Sequence, residues 1–173
     1  MKKAEGSWSG MRKYLEKEML APSLHGRVRY NCTAYVGMDG CHIYELYMDD
    51  NLTKQFSWET VNSYFIKQGY KSKKNPTGIG EYWEDFWTTM ENVPMNERTE
   101  YTDNEFADAL KTYRGQPISK SLFSDNPLIR MFAIFDRRAG KRSLEKLTAD
   151  MEKQPEWLKQ VFIFRMKAEG LME

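Results

Sequence analysis

Apolar side chains repeat at every second position in one stretch of this chain and give way to helical spacings elsewhere. From Arg27 onward Val28, Tyr30, Cys32, Ala34 and Val36 fall on one face, and Arg27, Arg29, Asn31 and Thr33 on the other. That period of two belongs to a strand with one buried face. Gly37-Met38-Asp39-Gly40 then supplies turn residues, Cys41 to Met48 is rich in β formers, and Asp49-Asp50-Asn51 marks a second turn before Leu52 to Phe56. The economical reading is a three-stranded antiparallel meander.

Everything around the meander reads as helix or loop. Trp8, Met11, Leu15 and Met19 recur at spacings of three and four, so an amphipathic helix is expected over Trp8 to Leu20, stopped by Pro22 and Gly26. Ser57 is an expected N-cap for a helix carrying Trp58, Val61, Phe65 and Ile66, closed at Gly69. Residues 70–80 form a break, with Lys71, Lys73 and Lys74 leading into a Pro- and Gly-containing stretch. Beyond it, Trp83 and Trp87 stack at i,i+4, Thr102-Asp103-Asn104-Glu105 spells a capping box, and Asn126-Pro127 opens an apolar helix that Gly140 ends or kinks. Leu144, Leu147 and Met151 mark another helix, and Pro155 opens the last. The expected fold class is therefore α+β: an N-terminal helix plus small antiparallel sheet packed on a mostly α-helical C-terminal half. Subregions 1–69, 70–80 (a basic loop) and 81–173 are expected to form a single compact domain over 1–173, since either half alone is small for a stable core.

Charge is balanced overall and zoned locally. Lys and Arg total 26 against 25 Asp and Glu, a formal net of +1, which gives no global attraction to nucleic acid or an anionic membrane. Yet residues 81–110 hold nine acidic side chains and one basic (−8), whereas residues 111–146 hold nine basic and three acidic (+6). Either the zones cancel inside the fold or one of them is a binding face, and the modest length favours cancellation. No run approaches the roughly 20 apolar residues that span a bilayer, and Met1 to Ser7 lead into an amphipathic stretch, so a cytoplasmic protein is expected. Cys32 and Cys41 read as free thiols: with Val36 opposite Cys41 in a hairpin, Cys32 lies about 13 Å up its strand at roughly 3.3 Å per residue, beyond disulfide reach.

Few residues are arranged for chemistry. Tyr47-Met48-Asp49-Asp50 spells the metal-binding hairpin of reverse-transcriptase palms, but Asp-Asp-Asn is equally an ordinary turn, and a polymerase needs far more chain. Cys32, Cys41, His42 and His25 lack the close pairing of a zinc site. With two histidines and no glycine-framed serine there is little support for a nucleophile triad, and Gly78-Ile79-Gly80 lacks the rest of a phosphate loop. No catalytic residue, metal or cofactor is expected. The Tyr82 to Trp87 aromatics read first as core, with a binding surface as the alternative. The strongest local feature is Asp136-Arg137-Arg138-Ala139-Gly140-Lys141-Arg142. On a helical wheel Arg130, Arg137, Arg138 and Lys141 share one face opposite Leu128, Phe132 and Phe135, and with Arg142 they form a candidate anion-binding set. The competing reading is structural: cations answering a helix dipole or pairing with acids such as Asp136.

Leu20-Ala21-Pro22-Ser23-Leu24-His25-Gly26-Arg27-Val28, and Asn126 to Arg130 followed by Phe135 to Leu144, resemble an uncharacterised bacterial family of small cytosolic proteins with APSLxGR and DRRxGKRxL segments. The resemblance covers most of the chain, poorly over Lys67 to Asn104, and implies no catalytic residue. What these observations favour is a non-enzymatic interaction protein binding a partner protein, with nucleic-acid or anion binding by the Arg130/Arg137/Arg138/Lys141 face as the alternative.

Overall fold

The computed structural model of the chain describes residues 7–34, 41–69 and 77–173. The expected turn at 37–40 and most of the basic loop, residues 70–76, lie outside the described residues. Helix α1 (Trp8–Lys13) runs into a single π-helical turn, Tyr14–Glu18, closed by the Met19 N–H on the Tyr14 carbonyl at 2.9 Å. The expected helix over Trp8 to Leu20 is thus correct in place but widens by one residue per turn, which lets Leu15, Met19 and Leu20 all reach the core. A 3₁₀ turn at Pro22–Leu24 precedes the sheet.

Strands β1 (Val28–Ala34), β2 (His42–Met48) and β3 (Asn51–Phe56) pair in order as an antiparallel meander, with Cys32 opposite Tyr44. Alternation sorts the faces: Val28, Tyr30, Leu46 and Phe56 are buried while Arg29 and Asn31 are exposed. At the free edge of β1, the Tyr30 N–H is taken up by Glu16 Oε1 at 2.7 Å. Asp49 and Asp50 form the β2–β3 turn with φ of 45° and 64°, the left-handed conformation that a two-residue hairpin demands and that Asp tolerates. Their carboxylates face Arg27 (2.9 and 2.7 Å) and Arg29 (2.6 Å). Asp49 is held below the usual carboxylate range by that Arg27 bond. The Tyr-Met-Asp-Asp motif is here a tight turn tied down by arginines.

Helices follow as α2 (Trp58–Lys67), α3 (Ile79–Asn92), α4 (Asp103–Arg114), α5 (Ile118–Leu122), α6 (Pro127–Phe135), α7 (Lys141–Met151) and α8 (Glu156–Ala168). The caps agree with the sequence: Ser57 accepts from Thr60 N–H, Thr102 and Glu105 complete the capping box, Asn126 Oδ1 accepts from Leu128 at 2.9 Å, and Gly69 ends α2 with φ of 82°. The short α5 has no counterpart in the sequence reading. Phe106 of α4 joins sheet to helices, its ring 4.7 Å from Tyr44, 4.8 Å from Phe56 and 5.3 Å from Phe132. The main core therefore draws on both halves of the chain. A smaller cluster of Val61, Phe65, Phe86 and Met90 joins α2 to α3. There Trp58 lies 4.7 Å from Trp83 and 4.8 Å from Trp87, both stacked, so the aromatic stripe packs on a partner helix.

Helix α6 departs from expectation. All nine of its residues, Arg130 included, are buried, and it stops at Phe135, well short of Gly140, because Asp136 turns to extended backbone (ψ 136°). There residues 135–137 pair with residues 19–21: Ala21 N–H bonds the Phe135 carbonyl and Arg137 N–H the Met19 carbonyl, each at 2.9 Å. Gly140 instead precedes α7 as its N-cap residue.

The fully buried Tyr30 hydroxyl has no hydrogen-bond partner, and burial pushes its phenol far above the ordinary value. Leaving such a group unpaired costs about 1–3 kcal/mol, so Tyr30→Phe is expected to raise the melting temperature by a few degrees in calorimetry; a drop would show that the hydroxyl has a partner. The same burial predicts the sign of the alkaline response. A raised phenol pKa favours the folded state below about pH 10 and loses that contribution as unfolded tyrosines ionise above it. Tyr44, pushed up to about 12 mainly by burial, adds to the effect. Urea unfolding from pH 8 to 11 should show stability falling above pH 10, less steeply in Tyr30→Phe.

Candidate functional site: an arginine cleft built on a buried carboxylate

Asp136 is 1% exposed, and a carboxylate taken from water needs donors. Its Oδ1 accepts the Arg138 N–H (2.7 Å) and Arg138 Nε (3.1 Å), and its Oδ2 accepts Arg138 Nη2 (2.6 Å) and the Tyr113 hydroxyl. Arg138 Nη2 also donates to the Tyr113 oxygen at 3.2 Å. Tyr113 comes from the last turn of α4, so this network fixes α4 against the 136–138 turn. Burial, then the bond to Asp136, pushes the Tyr113 phenol up, and bonds to Asp136 and Tyr113 push Arg138 up. The guanidinium is permanently charged and held in one orientation while remaining half-exposed.

Around this node lies a cleft of about 280 Å³ lined by Tyr14, Glu18, Met19, Arg114, Asp136, Arg137 and Arg138. The Arg114 guanidinium sits over the Tyr14 ring, 4.6 Å from its centroid. Partial burial raises the Tyr14 phenol, with Arg114 opposing, so it stays a neutral donor. Arg137 is fixed by its backbone to Met19, and its exposed side chain has no carboxylate partner among the described residues. Glu18 lies 3.8 Å from Lys13.

The expected basic face on one helix does not form. Arg130 is buried, donating to the Ser124 carbonyl and paired with Asp150, so it is an internal strut. Lys141 and Arg142 are exposed in the first turn of α7 and do not line the cleft. Cations there oppose the helix dipole rather than answer it, so the dipole explanation does not hold for them. Arg137 and Arg138 do come together, in a turn, joined by Arg114, Tyr14 and Tyr113. Sequence reasoning missed those three: Tyr14, at the junction of α1 and the π turn, and Tyr113 read only as helix positions, and Arg114 only counted within the +6 zone.

The ion pairs observed among the described residues of the two zones run elsewhere than between them. Glu105 pairs with Arg98, Glu100 with Lys54 at 2.7 Å, and Asp103 accepts the His42 N–H at 2.8 Å. Arg130 and Arg138 find their acids at Asp150 and Asp136. Lys54 is buried, which lowers its pKa against the opposing pull of Glu100. Cys32 and Cys41 are free thiols, Cys32 raised by burial. Among the described residues, no group of three or more His, Cys, Asp and Glu side chains is placed to hold a metal, and no helix is long and apolar enough to cross a membrane.

The segments 20–28 and 135–144 meet at this site. Beyond the backbone pairing, buried Arg165 donates to the Phe135 (3.3 Å) and Ala139 (3.2 Å) carbonyls and pairs with Glu169 at 3.1 Å, which accepts from Ser23 Oγ at 2.5 Å. The model of the SF0329 protein family matches residues 7–166, a span that includes both segments. The chain belongs to the SF0329 protein family. Neither a curated protein nor a solved structure matches it. In this SF0329 family member the segments are first a structural joint, and the cleft is what the joint exposes.

Asp136→Asn should therefore cost about 2–4 kcal/mol in urea denaturation, since it leaves Arg138 and Tyr113 without their charged acceptor in a largely buried setting. Arg137→Ala should stay within about 0.5 kcal/mol of the parent, as a surface change. Equal stability of the two variants would contradict this division of roles.

Proposed function

We propose that this chain is a non-enzymatic interaction protein that holds a partner protein by an anionic group seated in the Arg114/Arg137/Arg138 cleft. The observation that carries the reading is that three guanidiniums from two separate segments line one small cleft, one of them locked by a buried carboxylate and another without an acid of its own. Preorganised, forked donors suit carboxylate or phosphate recognition because little side-chain order is lost on binding. A small pocket suits one anionic group better than a long polyanion. Nucleic-acid binding is the competing reading, and burial of Arg130 removes one of the cations it relied on. The resemblance of the signature segments to small bacterial cytosolic proteins supports a role in the bacterial cytosol.

Fluorescence anisotropy with a labelled hexaglutamate peptide and with a labelled 12-nucleotide DNA tests the reading. The peptide is expected to bind weakly, and Arg137→Ala and Arg114→Ala are each expected to weaken it at least fivefold with unchanged melting temperature. DNA binding with a steep salt dependence and no peptide binding would favour nucleic acid. Peptide binding indifferent to both substitutions would remove the cleft from consideration.

A further inference from the structure

We infer that the group the cleft takes is a phosphate monoester in its dianionic form; this rests on the anion-binding reading above and narrows its ligand. The charges decide it. Asp136 lines the cleft, but both its oxygens are filled by Arg138 and Tyr113, so it cancels the Arg138 charge and offers nothing more to a ligand. Glu18, the other acid in the lining, has Lys13 beside it. That leaves Arg114 and Arg137 as two cations without a carboxylate partner among the described residues. With Glu18 drawn toward Lys13 at the solvent edge, the cleft of about 280 Å³ keeps more positive charge than one carboxylate balances.

The donor inventory points the same way. Arg137, Arg114 stacked on Tyr14, and Tyr14 itself all line the cleft and all carry N–H or O–H donors. A phosphate monoester has three terminal oxygens to accept from such a set, and a carboxylate has two. No lining residue is a histidine. The pH dependence of binding between pH 5 and 7.5 therefore follows the second ionisation of the phosphate itself, near pH 6. Affinity should rise with pH through that range, whereas a carboxylate, ionised above about pH 4 to 5, should bind alike at both ends of it.

The ester is either a free small molecule or a phosphorylated side chain on the partner, and calorimetric titration of the full chain separates them. Four probes serve at pH 7.5 and pH 5: a phosphoserine nonapeptide, the same peptide with Glu in place of phosphoserine, free O-phosphoserine, and inorganic phosphate. The phosphopeptide is expected to bind at least tenfold tighter than the Glu peptide at pH 7.5, to lose most of that advantage at pH 5, and to lose it in Arg137→Ala. Free phosphoserine binding as tightly as the phosphopeptide identifies a small ester, and a tighter phosphopeptide identifies a modified partner; both support the inference. Equal binding of the phosphopeptide and the Glu peptide at pH 7.5, each weakened by Arg137→Ala, would overturn the phosphate assignment and leave the anion reading standing. No binding of any probe would overturn both.

Discussion

A carboxylate removed from water must recover its solvation from the protein, and at Asp136 that recovery organises the molecule. The donors it uses come from its own turn and from the end of α4, while the backbone on either side of it pairs with the segment before the sheet. The carboxylate fixes α4 to the 136–138 turn, and the backbone of that turn pairs with a segment more than a hundred residues earlier in sequence. Arg165 does the same from behind, bonding the carbonyls of Phe135 and Ala139 and reaching Ser23 through Glu169. Buried ionic groups of this kind add little net stability compared with apolar packing, but losing one partner is costly. Their contribution here is geometric: they specify where α6 ends and what its following turn presents.

What the turn presents follows from its conformation. A helix continuing through residue 140 would have spread its cations around an already buried cylinder. Ending at Phe135 lets Arg137 and Arg138 emerge beside Arg114 and the π turn, which lines the cleft with Tyr14 and Glu18. Two local irregularities, each a departure from ideal helix, meet at one cleft. Such departures recur at functional sites, where a standard geometry would not place the side chains needed.

Much of the fold was legible because its signals are local. The strand alternation from Val28, the Ser57, Thr102 and Asn126 caps, and the turn at Asp49-Asp50 each depend on a few neighbouring residues, and the structure has them where the sequence indicated. The cleft was only half legible. Arg137 and Arg138 stood out as charges, but the wheel that grouped them with Arg130 and Lys141 assumed a helix that tertiary pairing with Met19 and Ala21 interrupts. Nothing in the spacing of Tyr14 or Arg114 connects either to residue 136. The near-zero net charge likewise hid how its parts are used: acids of the −8 zone pair with Lys54 and Arg98, and arginines of the +6 zone are left to face the cleft.

The central claim, that the turn held by Asp136 brings Arg137 and Arg138 beside Arg114 as one anion site, is tested most directly by NMR of the arginine side chains. Protein labelled with ¹⁵N-arginine would be titrated with O-phosphoserine at pH 7.5 while each Nε–Hε resonance is followed. The account predicts that Arg114, Arg137 and Arg138 shift together with one dissociation constant while buried Arg130 and Arg165 stay still. Shifts confined to Arg142, or spread evenly over exposed arginines on both faces of the molecule, would contradict it.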